Sequence, residues 1–544
     1  MARLTPLGWT CIGNPEPVSK SVLQTNFAHT YFVKDVSKIE QLNQNLKKFW
    51  ETESVSTTLE TPIVRIDEQM ALSKVKQSVT YAQQMYRVCV PWKCDDPVLP
   101  NNYKMALNRL ENTEKRLKRS PEISQAYSGC INKYIEKGYV RKLAENEHSA
   151  TRWFLPHFPV LRPDKETTKT RIVFDAAAKF EEMSLNDQIY QGPKLQRELF
   201  DVLLRLRRLP IAIVCDIEEM YLRIGIADCD KPYHRFLWRE MDQSRSPDVY
   251  EFDRVVFGVN SSPFQAQFVL RHHAQEFQQK FPMAAETILQ SNYMDDSMDS
   301  VLNEEQGVRL YQELSSLLTH AGMHARKWLS NSQEVIHEIP IKDRKSEVDL
   351  DTEQLPSAKT LGVWWSANHD TFTFRENAPG NDMRYTKRNF LKKIASLFDP
   401  LGLLAPFTVR AKMLLQDMWT AGLDWDEEMS ESLTKEAQDW FRELPYLKRL
   451  QIPRCLQEKT KTVNAIALHT FVDASENAYG AVVYARYSYE DGSLSSNIVA
   501  AKTRVAPTIA TSIPRLELMG AVVGVRMAKR ISATLDIPMN TSVF

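Results

Sequence analysis

The sequence has no C-x-x-C pair and no His/Cys cluster at zinc spacing; its seven cysteines (Cys11, Cys89, Cys94, Cys130, Cys215, Cys229 and Cys455) are scattered and odd in number. That pattern argues against structural zinc and against a disulfide framework, and favours a reduced, intracellular chain. Nowhere do about 18 apolar residues run together, and the N-terminus lacks the apolar core of a signal sequence, so the chain reads as soluble with no membrane partner. An excess of one charge is missing as well: Lys plus Arg number 69, and so do Asp plus Glu. Attraction to nucleic acid must then come from local patches. No Asp-Thr-Gly or Asp-Ser-Gly triplet occurs, so an aspartic protease site is not encoded.

What is present is a chain of 544 residues, enough for roughly three or four domains of ~150 residues each. Its most pointed stretch is Tyr293-Met294-Asp295-Asp296, between a helix-like run and a short apolar run. Adjacent carboxylates repel each other, and they are tolerated where a divalent cation sits between them and nucleotide phosphates. Alone, the four letters are better explained as an ordinary acidic turn between two strands. Upstream, Ile211-Ala212-Ile213-Val214-Cys215 is a continuous apolar run, the mark of a strand buried on both faces, and it ends in Asp216. A carboxylate there is costly unless paired or metal-bound. Between these acids lies Phe257-Gly258 with Ser262-Pro263, a glycine turn opening a helix. Three carboxylates on adjacent strand ends are what a two-metal phosphoryl-transfer site requires.

Elsewhere the patterns are less specific. Residues 1 to about 60 are irregular, 86–92 read as a strand, and 104–143 carry two amphipathic helices. The cluster Arg109, Lys115, Arg116, Lys118 and Arg119 on the first of these is either a solvated face or a nucleic-acid contact. Two β-like runs around Lys165, Lys169 and Arg171 form a hairpin whose cations could meet a triphosphate. From 384 to 447 helical periodicity returns with Lys387, Arg388, Lys392 and Lys393, either an ordinary helical domain or a basic face that tracks a duplex.

In combination these phrases resemble the Pol polyprotein of long-terminal-repeat retrotransposons of the Bel-Pao group. Asp216 with Tyr221, Phe257-Gly258 with Ser262-Pro263, and Tyr293-Met294-Asp295-Asp296 look like the first three reverse-transcriptase motifs; His324-Ala325-Arg326-Lys327-Trp328 is similar to the fourth, and Leu361-Gly362-Val363-Trp364-Trp365 to the primer grip. Pro156-His157, the run Thr170 to Ala176, and Phe398-Asp399-Pro400-Leu401-Gly402 point to Bel-Pao in particular.

The resemblance implies an α+β fold: fingers and palm with an antiparallel palm sheet, a helical thumb and connection, and a partial ribonuclease H-like α/β tail. The expected divisions are a linker region over 1–100, a helical lead-in over 101–145, fingers and palm over 146–370, thumb and connection over 371–460, and the ribonuclease H-like part over 461–544. It further implies an RNA-directed DNA polymerase that uses two Mg2+ ions (or Mn2+), template-primer of RNA and DNA, and deoxynucleoside triphosphates. Other parts of the polyprotein would be partners, and the location would be cytoplasmic virus-like particles or the nucleus.

By the same resemblance Asp216, Asp295 and Asp296 would hold metal, and Lys327 would act as general acid. Tyr221 would exclude a 2′-hydroxyl, Arg171 and Lys169 would clamp the triphosphate, and Gly258 would let the backbone approach template and nucleotide. Trp364 and Trp365 would grip the primer. Phe257 stands where many relatives have glutamine, which removes a hydrogen-bonding group. Asp473 and Glu517 match the first two ribonuclease H carboxylates; with the rest of that ligand set beyond the end of the sequence, no ribonuclease H activity is expected. The alternative reading is a decayed or host-adopted copy that binds nucleic acid without polymerising.

Overall fold

The segment Ile211–Ile217 is the central strand of a four-stranded antiparallel sheet, and every one of its residues except Asp216 is buried. Its β-branched, apolar run suits a strand covered on both faces. On one side it pairs with Asp296–Val301, which turns back through Asn292–Tyr293; on the other it pairs with Ala325–Ser330. The helix Glu304–His320 packs Leu310, Leu314 and Leu317 into the core beside this sheet at a spacing of one and two turns. The helices Leu199–Arg208 and Ser262–Glu276 belong to the same core. The computed structural model describes residues 2–5, 8–11, 65–150, 152–161, 170–345, 355, 357–360, 362–376, 380, 382–539 and 542–543.

A second core lies beside the first. The helices Tyr103–Leu117 and Pro121–Glu136 bury Leu110, Tyr127 and Ile131 against the hairpin His157–Leu161 and Thr170–Phe174 and against a sheet containing Arg235–Trp238 and Asp248–Phe252. The expected lead-in over 101–145 is therefore part of this second core and not a separate unit. Lys115, Arg116, Lys118 and Arg119 are exposed.

His157 lies wholly inside this core, its Nε2 donating to the Leu237 carbonyl at 2.8 Å and its Nδ1 accepting from the Tyr127 hydroxyl. Burial pushes its pKa down to about 4. The folded state keeps this ring neutral at pH values where an unfolded histidine, with a pKa near ~6.5, is already protonated. Its contribution is thus intact above about pH 6.5 and declines as pH falls toward about 4. Wild-type protein should lose on the order of 2 kcal/mol of stability between pH 7 and pH 5 from this residue alone. A His157→Gln variant compared by thermal unfolding at both pH values should show a smaller drop; an equal drop would remove His157 as the cause.

The N-terminal region departs from expectation. From residue 65 it is not a linker: the helix Ile66–Ser78 buries Ala71 and Val75 in the main core, and Met85–Val88 pairs in parallel with Gly225–Ile226. The boundary expected at 370 also falls inside a sheet. Val363–Ser366 pairs with Thr371–Thr373, which pairs in turn with Ile452–Pro453 from beyond the helical region. Between them the helices Lys387–Ser396, Ala405–Thr420 and Glu431–Glu443 form a third core around Phe390, Trp440 and Phe441.

The basic cluster on the first of those helices is mostly engaged internally. Lys387 is buried against Trp419 and donates to the Leu423 carbonyl, Arg388 makes a two-pronged contact with Asp426, and Lys393 pairs with Glu376. Lys392 alone of the four is exposed. The geometry favours an ordinary helical domain over a duplex-tracking face at this helix.

The C-terminal unit is a three-stranded antiparallel sheet, Val463–Ala474, Ala478–Tyr489 and Leu494–Val505, with the helix Ile513–Leu535 on one face. Val543 pairs in parallel with His469 on the open edge of the first strand, where Thr470 N–H donates to its carbonyl at 2.8 Å. The signature turn 398–402 ties this sheet to the rest. Gly402 (φ +71°) sits so close to Ala501 that a Cβ would lie 1.8 Å from its carbonyl oxygen, and Gly362 (φ +90°) leaves room for the Phe398 ring, which a Cβ would approach to 2.5 Å. No helix among the described residues is long and apolar enough to cross a membrane.

Candidate active site

The register of the central sheet assembles the acids. Asp216 is the direct cross-strand partner of Asp296, and residues opposed in an antiparallel pair project to the same face. Asp295 belongs to the hairpin turn, where its carbonyl accepts from Ile217 N–H at 2.7 Å, fixing the tip against the end of the central strand. Before it, Met294 takes a left-handed φ of +57°, a conformation that costs a non-glycine residue about 1 kcal/mol and persists only where neighbours impose it. Here the Gln267 and Asn292 side-chain amides both donate to the Met294 carbonyl, at 2.9 and 2.8 Å. Neither residue was expected at the site. Gln267 could have been suspected because it stands on the buried face of its helix, where an amide needs a partner.

The electrostatics are those of crowded carboxylates. Asp295 is exposed on the hairpin tip, yet the surrounding chain first, and then the Asp216 charge, raise its pKa above the usual range against the pull of Arg171 and Lys327. Two cations face Asp216: Lys327 Nζ donates to its Oδ2 at 2.8 Å, and Arg326 Nε stands 3.6 Å from its Oδ1 while binding Glu218 at 2.8 Å. Successive residues of a regular strand would point to opposite faces. A register shift between Arg326 and Leu329, with Lys327 at φ +54°, lets both side chains reach the same carboxylate. An all-carboxylate oxygen set suits Mg2+ or Mn2+ rather than a softer metal. Among the described residues no three His, Cys, Asp or Glu side chains stand in metal-ligating geometry, and at Asp216 the lysine ammonium takes the charge-balancing place.

Tyr221 sits in the turn Met220–Arg223 just after the central strand and is 7% exposed. Burial, and next the Asp295 charge, push its hydroxyl well above the ordinary tyrosine range. Its ring stacks on Phe257 with centroids 4.5 Å apart, and the Arg171 guanidinium lies 3.8 Å from the Phe257 ring centre. Gly258 (φ +114°) meets the carbonyl of Phe174, to which a Cβ would come within 1.7 Å. The close approach this glycine permits in the structure is therefore to the strand that carries Arg171. Lys165 and Lys169 lie outside the described residues.

The remaining expected residues are dispersed. Trp365 is 1% exposed and its indole donates to Asp370 at 3.1 Å, so it faces inward; Trp364 is half-buried, with the Arg375 guanidinium 4.5 Å from its ring. Only Trp364 of that pair is on a face a primer could reach. Asp473 and Glu517 are both exposed, Asp473 at the end of its strand and Glu517 one turn before Gly520, whose added Cβ would touch Val472 and come 3.6 Å from the Asp473 carbonyl. They share one end of the strand and helix pair.

Residues 165–328 match the family model of reverse transcriptase (RNA-dependent DNA polymerase), and residues 386–544 match that of the Pao retrotransposon-like RNaseH-like domain. Among solved structures, the foamy viral protease-reverse transcriptase in complex with an RNA/DNA hybrid is similar at a TM-score of 0.47 and 13% identity, over 90% of this chain and 56% of the viral one. The comparison with curated proteins gave no match.

Proposed function

With residues 165–328 a reverse transcriptase domain and residues 386–544 a Pao retrotransposon-like RNaseH-like domain, we propose that this chain is the RNA-directed DNA polymerase segment of a Bel-Pao-type retrotransposon polyprotein. It would extend a DNA primer on an RNA or DNA template with deoxynucleoside triphosphates. The observation that carries this reading is the strand register that sets Asp216 opposite Asp296 with the Asp295 carbonyl bound at the end of the same strand.

Asp216 and Asp295, with Asp296 assisting, would hold two magnesium ions, or manganese in their place. When bound, these lower the pKa of the attacking primer hydroxyl and stabilise the charge of the leaving phosphates. The protein's own residues supply position and protons. Arg171 offers a guanidinium fork that matches phosphate oxygens. The buried Tyr221 ring blocks the space that a 2′-hydroxyl would need. Lys327, whose Nζ stands 2.8 Å from Asp216 Oδ2, would be the proton donor to the departing pyrophosphate. To serve there it must exchange its present carboxylate partner for phosphate.

The test is primer extension by the purified chain on an RNA template, with magnesium, with manganese and with chelator. Expected are incorporation with either metal, none with chelator, and a loss of at least about a hundredfold in Asp216→Asn. Incorporation that survives Asp216→Asn, or none by the wild type, would overturn the reading.

A further inference from the structure

We infer that Phe257 is the positioning residue that joins sugar selection to triphosphate binding, acting as a wedge between Tyr221 and Arg171. The inference rests on the polymerase reading of the site and adds to it a residue whose motif position suggested only the loss of a hydrogen bond.

The argument is geometric. Tyr221 stacks on the Phe257 ring at 4.5 Å between centroids with the planes 28° apart, and the Arg171 guanidinium carbon lies 3.8 Å from the same ring centre. A planar ring has two faces, and two planar groups this near its centre would collide on a single one. Phe257 therefore lies between them, in a layered order of tyrosine, phenylalanine and guanidinium. The layers come from three distant parts of the chain: the turn after the central strand, the glycine turn, and the hairpin strand Thr170–Phe174. Such contacts hold by stacking and cation–π attraction, neither of which a glutamine side chain supplies in the same way.

The wedge cannot slide out of register. Gly258, next in the chain, is seated against the Phe174 carbonyl, three residues beyond Arg171 on the same strand. Asn186 adds two ties to that turn, donating to the Gly258 carbonyl at 3.1 Å and accepting from Asn260 N–H at 2.9 Å. Steric exclusion of a 2′-hydroxyl works only while the excluding ring stays in place. Tyr221 is backed by Phe257, so a change at 257 reaches both the sugar and the phosphates although Phe257 itself need touch neither.

The experiment measures kcat/KM for a deoxynucleotide and for the matching ribonucleotide in wild type, Phe257→Leu, Phe257→Met and Phe257→Tyr. The ratio of the two does not depend on how much of the preparation is active. Phe257→Leu and Phe257→Met, which lack a ring face, are expected to lower the deoxy-over-ribo ratio by about tenfold, with the loss in deoxynucleotide use falling on KM more than on kcat. Phe257→Tyr keeps the face and should stay within about twofold of wild type. Either flexible variant discriminating as well as an active wild type, or Phe257→Tyr failing as badly as Phe257→Leu, would overturn the wedge alone. A wild type that incorporates no deoxynucleotide would overturn the polymerase reading, and the wedge with it.

Discussion

Asp295→Asn is expected to reduce primer extension by at least about a thousandfold without lowering the thermal unfolding temperature. The two halves of this result have one cause. The chain packed around the Asp295 carboxyl and the negative charge of Asp216 both disfavour its charged form. Replacing it with a neutral amide of nearly the same shape removes that repulsion, so the fold should be as stable or more stable at neutral pH. The hairpin itself does not depend on the carboxylate: its tip is held by the Asp295 carbonyl on Ile217 N–H and by Gln267 and Asn292 on the Met294 carbonyl. Activity lost together with stability would instead mean that Asp295 serves the architecture, and unchanged incorporation would remove it from the site. Single-nucleotide incorporation and thermal unfolding on the same preparation separate these cases.

Arg454→Met should produce the largest loss of stability of any single change discussed. Arg454 is wholly buried, donates with two nitrogens to Asp370 and reaches the carbonyls of Leu209 and Pro210 at 2.8 and 2.6 Å. Beside it, the equally buried Arg207 donates to the backbone carbonyls of Arg454 and Pro453 at 3.1 Å and of Val499 at 2.6 Å, so that the helix Leu199–Arg208, the 363–453 sheet and the C-terminal unit meet at one point. Burial, with the like charge of Arg454 adding to it, pushes the Arg207 pKa down to about 10, while Asp370 pairs with Arg454. Removing Arg454 leaves Asp370 charged and short of its main partner and uncovers buried carbonyls, a defect of about 3–5 kcal/mol or more. In a chain with several cores this will not appear as one clean transition. Hydrogen exchange should therefore show protection lost in Leu199–Arg208 and in Leu494–Val505 together. Loss confined to the 363–453 sheet would contradict the role of this junction.

How far each feature could be read in advance follows from the range of the interactions involved. The acids of the candidate site were legible because the signal is local: an apolar run that ends in a carboxylate at 216, and a doublet at 295–296 beside a tyrosine. The helices of the fingers were legible for the same reason, through apolar residues at turn spacing. The helix Ile66–Ser78 was not, since it buries only Ala71 and Val75, residues too small to make a periodic stripe. The basic cluster at 387–393 left two readings open because its partners lie far off in sequence: Asp426 for Arg388 and Leu423 for Lys387, with Trp419 and Trp425 closing around the lysine. Trp365 turned inward because Asp370, itself held by Arg454, offers its indole an acceptor.

By itself the sequence determined the order of the candidate-site elements, their carboxylate character and the family that their combination resembles, since each resides in a few consecutive residues whose types are independent of the rest of the chain. Only the tertiary structure decided which groups face one another: Asp216 across from Asp296, Lys327 and Arg326 turned to one side by a bulge, and Phe257 against both Tyr221 and Arg171. Those pairings depend on strand register and on side-chain packing between segments tens to hundreds of residues apart, and neither is written in the local pattern of any one of them.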